Sequence, residues 1–285
     1  MTLYLAGSMP GPTIIEIDSF DDPRVDVFRN VRDADLRGRD DLFMAESELV
    51  LRRLMRTPQR LHSMLLSREK FARMRDAIEH LPTCVPVHVA DLKLIHEIAA
   101  FHVHRGCLAA GHRLPAPQLT LDAALGFLRT RAGFCMLLAE GLTNVDNMGA
   151  LFRNAAAFGV DAIALDSTSC DPLYRKAIRV SMGHALSIPY SVSSDWPGDL
   201  LRLRREWGMT LVAAELTPES QPLWRMPRAQ RLGVVFGSEG HGLSPATPAL
   251  CDMVCAIPMS GDVPSLNVAV ASAAFLYERM RPSVQ

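Results

Sequence analysis

The 285-residue chain has very little lysine: Lys70, Lys93 and Lys176 are the only three among 30 Lys and Arg residues. Its cations are therefore almost all guanidinium groups, which stay charged and grip carboxylates and phosphates in a bidentate way. It also lacks any CxxC pair. Cys84, Cys107, Cys135, Cys170, Cys251 and Cys255 are scattered, which excludes a disulfide framework and predicts reduced thiols in the core. No apolar run approaches the roughly 18 residues that a bilayer-spanning helix needs, so no membrane partner is expected. Met1 to Pro12 lacks the basic region and apolar core of a secretory signal. A soluble, cytoplasmic protein is expected. Finally, the chain has no internal repeat and a net charge of only −1, which at first argues against a nucleic-acid partner.

The distribution of charge reverses that impression. Arg52, Arg53, Arg56, Arg60, Arg68, Lys70, Arg73 and Arg75 face the single acid Glu69 between Leu51 and Arg75, an excess of seven. An electrostatic footprint is a patch rather than a total, so Arg52, Arg53, Arg56 and Arg60 are candidate RNA contacts, against the plainer reading of a solvated helix face. A set with 48% hydrophobic residues is enough for two domains. Residues 14–110 alternate helical periods (45–55, 68–80) with short strands (61–66, 85–89, 107–109), the pattern of a small α/β/α layer. Residues 111–132, with Pro115 and Pro117, read as a linker. Over 133–285, strands near 135–139, 161–165, 187–190, 209–214, 232–236 and 253–257 alternate with helices, predicting an α/β domain with a mostly parallel sheet and helices on both faces.

Three segments of this second domain share one form, a strand running into a polar or glycine-rich turn and then a helix. The first runs from Cys135 through Asn144, Asn147 and Gly149 to Arg153, with a helix from about Met148 stopped by Gly159. The second is Gly237-Ser-Glu-Gly-His-Gly-Leu243. The third is Ile257-Pro-Met259 followed by Ser265-Leu-Asn267 and a helix whose residues Val268 to Tyr277 carry no charge and only Ser272 as a small polar residue. Such a helix is predicted to be buried all round. In a parallel sheet all these turns lie at the carboxyl edge, where distant residues converge.

Asn147-x-Gly149-x-x-x-Arg153, Gly237-x-Glu239-x-x-Gly242-Leu243 and Ile257-Pro258-Met259 with Ser265-Leu266-Asn267 resemble, in this order, the three signature motifs of the SpoU/TrmH-type RNA ribose 2'-O-methyltransferases of the SPOUT class. Asn144-Val145 stands where that family often has Asp-Pro, which removes turn rigidity but no chemistry. The resemblance implies a deep C-terminal trefoil knot, S-adenosylmethionine as cofactor, and an N-terminal RNA-binding domain over 14–110. It places the cofactor's adenosine against Gly237, Ile257 and Leu266, with Ala213 and Ala214 close by. It also implies a homodimer in which Arg153 of one subunit reaches the cofactor held by the other. Leu151, Ala155 and Phe158 on one helix face, together with the apolar terminal helix, give a physical reason for pairing.

Among the candidate catalytic residues, Arg153 is a poor base because a guanidinium holds its proton too firmly to act as one, and is read as holding phosphate and stabilising a developing alkoxide. Asn147 orients Arg153 or caps its helix, Glu239 orients Arg153 or the substrate, and Ser265 and Asn267 contact acceptor ribose or phosphate, with Ser265 also a plausible N-cap. His241 is left to tune RNA contact. His102, His104, Cys107 and His112 do not have structural-zinc spacing, so no metal is expected. Trp196, Trp207 and Trp224 read as packing. Alternatives are a tRNA 2'-O-methyltransferase in place of an enzyme acting on ribosomal RNA, a catalytically inactive RNA-binding protein of the same fold, and a Rossmann-type oxidoreductase. The last is disfavoured because Gly237, Gly240 and Gly242 run in the reverse order of the dinucleotide fingerprint.

Overall fold

A computed structural model describes residues 11–29, 41–100, 103, 106–261, 263 and 265–281. His102 and His104 of the rejected zinc grouping lie outside them, and no metal-binding group of His, Cys, Asp and Glu occurs among the described residues. No described helix is long and apolar enough to cross a membrane. The chain divides into two compact units, 1–113 with 173–179, and 114–172 with 180–285.

The first unit holds strands β1 (Ile14–Glu16), β2 (Leu42–Glu46), β3 (Leu61–Ser67), β4 (Val87–Ala90) and β5 (Cys107–His112), in the order β1-β4-β3-β5-β2. β1, β4 and β3 are parallel, and β5 runs antiparallel between β3 and β2. Helices α1 (Glu48–Leu54), α2 (Arg68–Arg73), α3 (Arg75–Ile78) and α4 (Leu92–Ala99) connect them. Two expectations are corrected. The helix predicted over 45–55 begins only at Glu48, because Leu42–Glu46 is a buried strand whose apolar run suits either element. The helix predicted over 68–80 is broken at Met74.

The second unit carries α5 (Leu121–Leu125), β6 (Phe134–Ala139), α6 (Val145–Ala157), β7 (Ala162–Asp166), β8 (Tyr190–Ser193), α7 (Trp196–Arg205), β9 (Thr210–Ala214), β10 (Gln221–Pro222), β11 (Arg231–Phe236), α8 (Ala246–Leu250), β12 (Met253–Ala256) and α9 (Val268–Met280). Its seven strands, ordered β10-β12-β9-β11-β6-β7-β8, are all parallel. Alternation along the strands sends Met136, Leu138, Met209, Leu211 and Val235 to one face, where Leu121, Leu125, Leu200, Leu203 and Trp207 complete a core. The supposed linker 111–132 thus contributes core residues. On another cluster, Phe236 meets Phe275 of α9 edge to face at 5.5 Å. Asn154 of α6 donates to the Ala269 carbonyl (2.6 Å) and to Oγ of Ser272 (3.0 Å), which accounts for the one polar residue buried in α9.

The helix α9 is not buried all round. Val268, Ser272, Phe275 and Leu276 are covered, but Val270, Tyr277 and Met280 are 55%, 66% and 58% exposed and form a helical stripe. Leu151 and Ala155, expected to face a second subunit, are fully buried within their own chain.

Candidate functional site

The central strand β11 lies between β9 and β6, and its continuation folds back on itself. Ser238 and Gly242 pair as an isolated bridge, with N–H to O distances of 3.0 and 3.1 Å. This fold-back sets the glycines. A Cβ on Gly237 would fall on the Gly242 carbonyl and the Leu243 nitrogen. Gly242 has φ +65°, and the Glu215 carboxylate stands where its Cβ would be. Past the bridge, the Leu243 N–H donates to Oε2 of Glu215 (2.9 Å) and the Ser244 N–H donates to Oε1 of Glu140 (3.0 Å). Glu140 also accepts from Trp196 Nε1 (3.1 Å) and from Thr247 Oγ1 (2.5 Å).

The start of α6 is capped by Asn144, whose Oδ1 accepts from the N–H groups of Asp146 (2.9 Å) and Asn147 (3.1 Å). Asn147, freed from capping and 9% exposed, donates from Nδ2 to Glu239 Oε1 (2.7 Å). Its Oδ1 accepts from Asn267 Nδ2 (2.9 Å). Asn267 in turn N-caps α9, its Oδ1 accepting from the Ala269 N–H (2.9 Å). One hydrogen-bonded line, Asn267 to Asn147 to Glu239, therefore joins one side chain from each motif. The turn ahead of Asn144 is held by Asp166, which accepts from the N–H groups of Gly141 (2.9 Å) and Ser169 (3.0 Å) and from the hydroxyls of Ser169 and Thr168. Burial pushes the Asp166 carboxyl up, but the hydrogen bonds from Ser169, Thr168 and Gly141 outweigh it and hold the group below its ordinary value. Burial, with the charges of Asp171 and Glu239 adding to it, raises the Cys170 thiol to about 11.

Two adjoining cavities open at this carboxyl edge. One, of about 110 Å³, is largely apolar and is bounded by Cys255, Ala256, Ile257, Met259 and Phe275. Burial lifts the Cys255 thiol to about 11, so it stays neutral there. The other, of about 560 Å³, is bounded by the whole of Gly237–Gly242 together with Asn267 and Val268. Both share Ala214, Glu215, Ser265, Leu266 and Ala271.

The expected residues thus fall into three groups. Asn147, Glu239 and Asn267 are bonded to one another, and Ala214, Gly237, Ile257, Ser265 and Leu266 line the cavities. Ala213 does not, because the strand alternation turns it into the core, where it is fully buried. Ser265 is no N-cap; α9 starts at Val268 with Asn267 as its cap. Arg153 lines neither cavity and is exposed, and its side chain makes no hydrogen bond or ion pair among the described residues, so neither Asn147 nor Glu239 orients it. It sits six residues beyond Asn147, which at 3.6 residues per turn is roughly 120° round the helix. Glu140, Asn144, Asp166 and Glu215 were missed. Each stands at a strand end or turn, where a carboxylate or amide has ready access to free backbone N–H groups, but only the sheet order shows which ones it meets.

The basic stretch of the first unit is less bare than its composition. Arg52 pairs with Glu48 and Asp76, Lys70 and Arg73 with Glu48, Arg68 with Glu16 and Asp91, and Arg75 with Glu79. Arg60 lies over the Phe43 ring at 5.3 Å and donates to the His112 carbonyl. Arg53 is half-buried, and that burial lowers its pKa. Arg56 is the exposed member of the four candidates.

Known proteins are similar to the chain, some in sequence and some in fold. A model of the SpoU rRNA methylase family matches residues 135–277. An uncharacterized tRNA/rRNA methyltransferase of Mycobacterium bovis is 36% identical over 271 residues, 92% of this chain and 90% of the relative. The 23S rRNA (guanosine-2'-O-)-methyltransferase RlmB of Acinetobacter baylyi is 28% identical over 200 residues, 70% of this chain and 80% of that one. The crystal structure of an AdoMet-bound rRNA methyltransferase from Sinorhizobium meliloti superposes with a TM-score of 0.74 at 20% identity, covering 93% of this chain and 97% of its own.

Proposed function

Since the chain belongs to the SpoU rRNA methylase family and is an RNA methyltransferase, we propose that it transfers a methyl group from S-adenosylmethionine to a ribose 2'-hydroxyl, in ribosomal RNA rather than tRNA. The observation that carries this reading is the line Asn267–Asn147–Glu239, which joins all three motifs beside the larger cavity. The 2'-O specificity named for the Acinetobacter relative supports the choice of acceptor atom.

The cavities suit the cofactor. The larger falls within the roughly 300–1,000 Å³ of ordinary ligand pockets, the smaller offers Ile257, Met259 and Phe275 to a flat aromatic base, and Glu239 offers negative charge to a cationic ligand. When bound, the cofactor supplies a methyl on a positively charged sulfur. The chain's own residues supply position: Asn147 fixes Glu239 and the cap of α9, so the loops that face the acceptor cannot drift apart. Arg153, always charged, holds the phosphate beside the acceptor ribose and stabilises the developing alkoxide. Residues 14–110 present the RNA, with Arg56 the exposed cation of the four candidates.

The working unit in this proposal is a homodimer in which Arg153 serves the partner's cavity. Its position away from both cavities of its own chain and the apolar stripe Val270, Tyr277 and Met280 support that arrangement. A deep trefoil knot formed by the C-terminal segment belongs to the same reading, and a crystallographic backbone that straightens freely when drawn from both ends would remove it.

The decisive experiment incubates the protein with methyl-labelled cofactor and ribosomal RNA, followed by alkaline hydrolysis. A 2'-O-methyl group blocks cleavage at its own 3' side, so label is expected in an alkali-resistant dinucleotide; label in a free mononucleotide base overturns the acceptor assignment. Mixing Arg153→Ala with Gly237→Val subunits tests the dimer. Activity is expected to return, because one intact site forms in each mixed pair, and no recovery despite proven exchange places Arg153 with its own chain.

A further inference from the structure

The two strands that flank β11 each end in a glutamate, Glu215 after β9 and Glu140 after β6, and these two carboxylates hold consecutive N–H groups, Leu243 and Ser244, of the loop that leaves the strand between them. The loop is gripped from both sides at one point. The two grips differ in what surrounds them. Glu140 is fixed in turn by Trp196 and Thr247 and lines neither cavity, so it is a structural anchor. Glu215 lines both cavities. Its other oxygen, Oε1, accepts from the N–H of Leu216 (3.0 Å), which turns the carboxylate back over its own strand end toward Gly242. A carboxylate accepts more hydrogen bonds than these two, since each oxygen has two lone pairs.

We propose that Glu215 is a positioning residue for methyl transfer, a latch that holds Gly237–Leu243 in the ligand-receiving form from the side the cofactor enters. The inference rests on the proposed cofactor reading. The loop carries Glu239, and Glu239 is the end of the line through Asn147 to Asn267, so the latch also sets the register of that line. Gly242 is part of the device: with any side chain there, the carboxylate could not reach Leu243.

The test compares wild type, Glu215→Ala and Glu215→Gln, with thermal melting to show that all three fold. In the ligand-free proteins, hydrogen exchange at the Leu243 amide is expected to quicken at least about tenfold in Glu215→Ala, as befits loss of one hydrogen bond to a charged acceptor. Glu215→Gln, which keeps one carbonyl acceptor, should fall between. In turnover, the KM for S-adenosylmethionine is expected to rise about tenfold or more in Glu215→Ala with the KM for RNA unchanged, and Glu215→Gln should recover most of it. Equal exchange at Leu243 in wild type and Glu215→Ala overturns the latch, as does a rise in both KM values alike. If wild type itself takes up neither S-adenosylmethionine nor S-adenosylhomocysteine, the proposed function falls, and the exchange measurement still decides the latch.

Discussion

Two walls of the adjoining cavities are built in opposite ways. Gly237–Ser244, leaving β11, has its own Ser238–Gly242 bridge and carboxylates on both flanks. The described residues of 257–266, leaving β12, line the smaller cavity through Ile257 and Met259 and both cavities through Ser265 and Leu266, but make no hydrogen bond with any described residue. Leu266 and Val263 there are 40% and 47% exposed. One wall is preorganised by backbone geometry, and the other depends on apolar contact. Preorganised groups lower the ordering entropy that binding must overcome, whereas an apolar wall gains most of its order from whatever it encloses. The firm wall carries the polar site residue Glu239, and the loose wall carries the surfaces suited to an aromatic base.

The largest expected effect comes from breaking the firm wall at its tightest point. In Gly237→Val the new Cβ meets backbone of Gly242 and Leu243, which cannot turn aside. Calorimetry should find no uptake of S-adenosylhomocysteine while the thermal melt stays cooperative; retained uptake would mean that the loop is far softer than its bonding. Next is the line joining the two walls. Asn147→Ala deletes both of its side-chain hydrogen bonds, one to a carboxylate, worth together about 2–4 kcal/mol. Turnover is expected to fall on the order of a hundredfold, with RNA affinity, measured by filter binding, unchanged.

Asp166 lets the comparison be read by pH. Its carboxyl lies below its ordinary value of 3.8 in the fold, so its contribution is fully present above that value and is lost as pH falls through the lower folded-state value. Asp166→Asn should lower stability by about 1–2 kcal/mol at neutral pH and lose less than wild type between pH 5 and about pH 3, as chemical denaturation at each pH will show. A parallel loss in both proteins would deny Asp166 its role. The smallest effect belongs to the loose wall, where Met259→Ala removes contact from an open, largely apolar surface. A reduction of only a few-fold in cofactor affinity is expected, about 1 kcal/mol or less; a loss as deep as that of Gly237→Val would abolish the distinction between the walls.

The seven-stranded sheet was legible in the sequence because its strands are short apolar runs separated by turns. The positions of β6, β7, β9, β11 and β12 fall within a residue or two of expectation, with β8 displaced to Tyr190–Ser193 and the two-residue β10 unseen. Motif spacing likewise singled out Asn147, Glu239 and Asn267. It did not show that they bond to one another, since that depends on the strand order that brings β11 beside β6. The residues that brace them escaped notice for a similar reason: Glu140 and Glu215 look like any acid at a strand end. The basic stretch misled in the other direction. Counting from Leu51 to Arg75 excluded Glu48, Asp76 and Glu79 by three, one and four positions, although they pair with Arg52, Arg73 and Arg75, and it could not reach Glu16 and Asp91, which pair with Arg68 across the fold. A window along the chain does not count charges that are close only in space.

The place of β11 in the sheet has a consequence for how the molecule is made. A ribosome delivers β6 long before β11 and β9 shortly before it, yet in the finished sheet those two strands are joined only through it. Until Arg231–Phe236 emerges, each therefore presents an open edge of unpaired backbone, the kind of edge that recruits strands from other molecules. The pairing of β11 with β6 also spans nearly one hundred residues, Arg231 against Phe134, and such distant contacts form slowly. Synthesis rate and chaperone supply, rather than final stability, should govern the yield of active protein.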